Sequence, residues 1–310
     1  MQTLSCDLWV IEDYAFRQFK AIAGGLRTLP NQEQARAAAA VAPRTQKTIG
    51  IIPVHGVLEA RPSFIGEMFG MTSYERIGNA VDTLMADESV TAIVMDVASP
   101  GGMVYGAQEL AQKIYSSRGK KPIIAVANPM AASGAFWISS AADRVVVTPS
   151  GDTGSVGVIA EHVDISKALE SQGETVTTIR STASPFKGEG SDTEPLSDQA
   201  KAHMQSRADA IYQQFAGDLA RFRGVSVEHV NAKFGQGRVV ASGPAMAAKM
   251  VDRVDTLQGV VMKLMEGRIR LGGNSAQDQW EIPTPRELRR ERVAAIQAAL
   301  TVKENENGET

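Results

Sequence analysis

The sequence predicts an α/β protein of stacked βαβ units around a parallel sheet, and three observations carry that expectation. Apolar runs short and β-branched enough to be buried strands recur at 90–97, 123–127 and 144–148. Segments with helical apolar spacing lie between them, at 104–116 and 135–142. Strand and helix alternate in order, which right-handed crossovers turn into a parallel sheet. At 310 residues the chain is long enough for one large domain with extensions. With 43% hydrophobic residues, 22% charged residues and a formal net charge of −3, it has no basic excess for a nucleic-acid partner. The single cysteine, Cys6, excludes an intramolecular disulfide and fits a reducing compartment.

Taken in order, residues 4–23 place Leu4, Leu8, Ile11, Tyr14, Ala15, Phe19 and Ile22 on one helical face, and Gly24-Gly25 ends it. This predicts a helical arm, followed by an alanine-rich linker to residue 47. Asp7, Glu12, Asp13, Arg17 and Lys20 interrupt any signal peptide or membrane span, so a soluble, cytoplasmic chain without a membrane anchor is expected. Residues 48–58 read as a strand pair or bent strand broken by Pro53 and Gly56, and 61–71 as a surface loop. Thr72-Ser73-Tyr74-Glu75 has the form of a capping box before a helix through Leu84. Beyond the turn at 150–157, a long helix is expected over 197–223 and a helix-strand-helix segment over 225–267. After Gly272-Gly273 the composition turns polar, with a charged helix from Arg286 to Leu300. Three regions result: an arm and linker at 1–47, a main domain at 48–267, and a polar tail with a helix at 268–310.

The chemistry centres on Ser133, at the junction between the strand ending near Ala127 and the helix from Ala135. A serine at a helix N-terminus has free backbone N–H groups and a favourable dipole beside it, as an acyl-transfer enzyme needs at a developing oxyanion. Ser99-Pro100-Gly101-Gly102 closes the neighbouring strand, at the carboxyl end where open α/β sheets place ligands. The N–H groups of Gly102 and Gly134 can therefore aim at one carbonyl oxygen. Ser133 also needs a group to take its proton. Of His55, His162, His203 and His229, only His162 is placed for this, and Lys187 in a loop of small residues is the other candidate. There is no Cys/His metal spacing and no G-x-x-x-x-G-K phosphate loop, so no metal or cofactor is expected.

The runs Asp96 to Gly102, Met130-Ala131-Ala132-Ser133-Gly134-Ala135, Ala141-Ala142-Asp143 and Thr153-Gly154-Ser155-Val156-Gly157-Val158 resemble the signal peptide peptidase A family, S49, of serine peptidases. That family belongs to the ClpP/crotonase superfamily and uses a Ser-Lys dyad. The likeness covers about residues 48–265 by order and spacing. The stretches Met71 to Glu75, Ala127 to Ala131, Gly157 to Asp164 and Glu194-Pro195-Leu196 are similar to its soluble phage and prophage branch, the head-maturation proteases.

The resemblance implies a ClpP/crotonase-like fold, with Ser133 as nucleophile and Lys187 as general base. It further implies Gly102 and Gly134 as the oxyanion hole and Ser155 as the residue orienting the lysine. His162 recurs in this branch outside the dyad and receives no catalytic role. Implied too are a homo-oligomeric ring, scaffold or capsid proteins as substrates, and a location in the host cytoplasm or the procapsid. The rival readings are a soluble housekeeping peptidase, a crotonase-type acyl-CoA enzyme in which Ser133 is dispensable, and an inactive structural component of a phage head.

Overall fold

The structure, a computed structural model, describes residues 8–11, 48–270 and 279–280, with only the backbone course of 8–11, 270 and 279–280. It divides into two units, Met1–Met265 and Glu266–Thr310.

In the first unit the strands are β1 (Leu8–Ile11), β2 (Thr48–His55), β3 (Leu58–Glu59), β4 (Thr72–Ser73), β5 (Val90–Ser99), β6 (Gly101–Met103), β7 (Ile123–Ala132), β8 (Arg144–Val147), β9 (Asp152–Gly154), β10 (Ile159–Ala160), β11 (Val239–Ala241) and β12 (Arg253–Val254). The helices are α1 (Phe64–Met68), α2 (Tyr74–Ala86), α3 (Ala107–Ser117), α4 (Gly134–Ser140), α5 (Ser166–Ser171), α6 (Asp198–Arg223), α7 (Val227–Lys233), α8 (Ser242–Ala247) and α9 (Leu257–Met265). In the second unit β13 (Ile269–Arg270) pairs antiparallel with β14 (Gln279–Trp280).

The predicted α/β class with a mostly parallel central sheet is what the chain forms. The pairs β2/β5, β5/β7, β7/β8, β7/β9 and β8/β12 are parallel, and only β9/β11 is antiparallel. β7 is the hub. Residues 124–127 pair with β8 and residues 130–132 pair with β9 on the edge away from β5. Ile93, Val94, Met95, Val97 and Ile123 to Val126 are fully buried, as a strand covered on both faces requires. A second sheet, in the order β10-β1-β6-β3-β4, is continuous in sequence with these strands: β6 follows β5 after Pro100 alone, and β10 follows β9 after residues 155–158.

Side chains cap the helices largely where the sequence signals them. Ser73 Oγ accepts from Arg76 N–H at 3.2 Å, while Thr72 Oγ1 donates to the His55 carbonyl at 2.6 Å, so Ser73 is the cap. Ser197 caps α6, and Gly224 ends it in the left-handed region at φ 64°. The loop expected at 61–71 instead contains α1, because Ser63 Oγ caps Gly66 N–H at 2.9 Å and itself donates to the buried Glu59 carboxylate at 2.7 Å.

The N-terminal arm needs a correction. A helix is expected through residues 4–23, yet Leu8–Ile11 is a strand, paired antiparallel with β6 on one side and β10 on the other. Partners on both edges satisfy the backbone of this segment, and that tertiary pairing overrides a helical apolar spacing. The rest of the arm, Cys6, the linker to residue 47 and the charged helix at 286–300 lie outside the described residues.

Candidate active site

β7 delivers Ser133. At its end the chain turns so sharply that Ser133 adopts φ 52° and ψ −120°, a region rarely occupied by a residue with a side chain. Ser133 N–H donates to the Gly154 carbonyl at 2.6 Å, and its own carbonyl accepts from Trp137 N–H at 2.9 Å. The turn is thereby locked to β9 on one side and to α4 on the other. Ser133 is fully buried, and its Oγ has no hydrogen-bond partner. Three other buried hydroxyls share that condition among the described residues, on Ser140, Thr148 and Thr153, but none of those residues has positive φ.

Helix α4 is anchored as a rigid post. Trp137 stacks on Phe215 of α6 at 4.4 Å between ring centroids, and its Nε1–H donates to Asp218 at 3.0 Å. Buried Asp218 also accepts from Gln112 at 2.8 Å and pairs with Arg221 at 2.9 Å. At the far end Arg118 donates to the carbonyls of Ser140, Ala141 and Ala142 at 2.9, 2.9 and 2.7 Å, satisfying the orphan acceptors that end the helix. Burial lowers the Arg118 pKa and raises that of Asp143, whose carboxylate accepts from Ile123 N–H at 2.8 Å where β7 begins.

Gly134 is the first residue of α4, so its N–H is among those with no acceptor inside the helix. Gly102 lies in β6, opposite Leu58 on one side and Val10 on the other. A Cβ at Gly102 would fall 1.9 Å from the Leu58 carbonyl oxygen, so only glycine fits. Two side chains hold this strand. Ser99 Oγ accepts from Gly101 N–H at 3.1 Å, and the Tyr74 hydroxyl donates to the Met103 carbonyl at 3.0 Å. Burial pushes the Tyr74 phenol far above its ordinary pKa, so it stays a donor.

Ser155 is buried at φ 51°, with its N–H bonded to the Arg238 carbonyl at 2.9 Å. Lys187 is exposed in the single chain. Its loop is clamped by Arg180, which donates to the Lys187 carbonyl at 2.7 Å and pairs with Glu194. Phe186 and Glu189 of the same loop line a cavity of about 230 Å3 with Ala160, His203 and Arg207. The structure thus places Ser133 and Gly134 directly after β7, Ser155 directly after β9 and Gly102 in β6 just past the end of β5, and it leaves Lys187 exposed on a loop with no bond to Ser133 Oγ.

The histidines are engaged elsewhere. His55 pairs with Asp96 at 3.1 Å, and His203 lies 3.8 Å from Glu189. His162 and His229 donate to the carbonyls of Ser191 and Ala248, each at 2.8 Å. Tyr74 and Asp218 hold β6 and α4 without any local sequence signal, since each acts on a partner distant in the chain, and Arg180 fixes the Lys187 loop from seven residues away.

A parallel α/β sheet whose central strand ends in a strained serine at a helix start, beside a glycine-bearing strand, is an architecture of the nucleophilic hydrolases. Residues 116–269 match peptidase family S49, and this stretch of the chain is an S49 domain. The chain is 37% identical over 182 residues to the capsid assembly protease C of Escherichia phage lambda, covering 59% of this chain and 41% of that protein. It is 36% identical over 187 residues to the head-tail preconnector protein of Enterobacteria phage P21, covering 60% of this chain and 37% of that one. Protease 4 of Salmonella typhi is 30% identical over 223 residues, which cover 72% of this chain and 35% of that protein. The chain therefore spans about two fifths or less of the length of these relatives. No helix among the described residues is long and apolar enough to cross a membrane.

Proposed function

We propose that this chain is a serine endopeptidase with a Ser133–Lys187 dyad, cleaving scaffold or capsid proteins during phage head maturation. The observation that supports it most is Ser133 itself: a buried hydroxyl without a partner, at φ 52°, at the start of a helix. Strain of this kind costs of order 1–3 kcal/mol and is kept where it serves a mechanism. Ser133 Oγ attacks the scissile carbonyl carbon as neutral Lys187 takes its proton. The oxyanion faces the N–H groups of Gly102 and Gly134, each worth ~3 kcal/mol to the transition state. The C–N bond then breaks, the Lys187 ammonium returns the proton to the leaving amine, and water activated by Lys187 hydrolyses the acyl-enzyme.

A general base must lie within hydrogen-bond reach of the proton it takes, and Ser133 Oγ has no partner in the single chain. The dyad therefore requires that Lys187, exposed in the single chain, be brought within that reach when copies assemble into a ring, with Ser155 orienting it. The names of the phage relatives favour capsid substrates, and the working place is the host cytoplasm or the procapsid. A fluorophosphonate probe with peptide mapping tests the nucleophile. Labelling at Ser133, with casein hydrolysis lost about 10³-fold in both Ser133→Ala and Lys187→Ala, is the expected result. Full hydrolysis by Ser133→Ala would refute the reading, and full hydrolysis by Lys187→Ala would remove the dyad.

A further inference from the structure

β7 ends at Ala132, just before Ser133, but the two strands beside its end are continued, β5 by β6 and β9 by β10. Between β6 and β10 one strand position remains, and β1 fills it. Trp9 is opposite Met103 and Ile159 at once, Val10 is opposite Gly102, and Ile11 is opposite Gly101. The chain's own N-terminal segment thus runs in extended form, antiparallel to the strand that carries Gly102. A polypeptide adding itself to an open strand edge makes the same pairing. Burial agrees with this, for Ser133, Gly102 and Gly134 are all buried. A protein substrate cannot meet a hydroxyl in that state.

We propose that β1 is a tethered occupant of the slot between β6 and β10, and that a substrate strand entering that slot must displace it. The proposal rests on the assignment of Ser133 as nucleophile for its consequence, though not for the occupancy itself. The chemistry recognised is main chain rather than a particular side chain. Two flanking strands offer N–H and C=O groups to whichever peptide lies between them, so sequence preference would come from neighbouring surfaces such as the 230 Å3 cavity beside Ala160. Because the occupant is tethered, a substrate competes against a high local concentration. The unassembled chain is held inactive by its own N-terminal segment.

The test uses the full chain carrying Trp9→Pro/Val10→Pro. Successive strand residues direct their N–H groups to opposite neighbours, so the two prolines remove a donor toward each side. Amide exchange followed by mass spectrometry should speed up about tenfold at 101–103 and 159–160. Fluorophosphonate labelling of Ser133 should rise by a similar factor, and a synthetic peptide of residues 7–14 added in trans should reverse both effects. Unchanged exchange would overturn the proposal. Faster exchange with unchanged labelling would also overturn it, since β1 would then be peripheral to the site. If neither protein is labelled, the nucleophile assignment falls, and exchange with and without the peptide still decides whether β1 fills the groove.

Discussion

Replacing Gly102 by alanine tests packing and chemistry together. The new Cβ would sit 1.9 Å from the Leu58 carbonyl oxygen and 2.5 Å from the Leu58 nitrogen. An ordinary carbon contact is roughly 3.5 Å, so β3 and β6 must part by more than about 1 Å. No flexible side chain can absorb that shift, because both clashing atoms are backbone. β6 is also restrained by the Tyr74 hydroxyl on Met103 and by its pairing with β1. Overpacking of this kind costs about 3 kcal/mol, and if Gly102 is the oxyanion donor of the proposed mechanism, displacing it by about 1 Å costs about 10²-fold in rate. Urea unfolding and casein hydrolysis read the two effects on the same sample. Gly217→Ala is the internal control: it lies within α6 with nothing inside 4 Å of the added carbon, and should gain up to about 1 kcal/mol. A Gly102→Ala protein with stability within about 0.5 kcal/mol of wild type and full hydrolysis would refute the reasoning.

Two further outcomes follow from the site's backbone and its buried charge. Because φ at Ser133 is 52°, Ser133→Gly should be more stable than Ser133→Ala by about 1 kcal/mol, the relieved strain exceeding the entropy a glycine adds to the unfolded chain. Urea midpoints check this, and equal stabilities would mean that the turn is unstrained. Asp143 has its pKa raised, chiefly by burial, so folding favours its protonated form. That contribution is fully present below the unfolded value near about pH 4 and is lost as pH rises through the higher folded value. The melting temperature of wild type relative to Asp143→Asn should therefore move in favour of wild type by about 2 °C between pH 7 and pH 4. Movement in the opposite direction would show that the Arg118 and Ile123 contacts outweigh desolvation.

Much of the architecture was legible in the chain itself, because a parallel sheet buried on both faces writes its strands as continuous apolar runs, as at 90–97 and 123–127. The capping box at 72–75 announced its helix for an equally local reason: a side-chain oxygen and the N–H it bonds are three residues apart. Ser133, Gly102 and Gly134 stood out by residue type at strand ends, where such sheets place ligands. Tertiary structure alone decided the rest. Leu8–Ile11 has the spacing of a helix and becomes a strand, because two open strand edges far along the chain accept it. Gly102 must be glycine because of Leu58, more than forty residues away. Asp218 and Tyr74 hold α4 and β6 through contacts that no periodicity announces. Local pattern reports which face of a segment seeks cover, and only the folded chain determines what covers it.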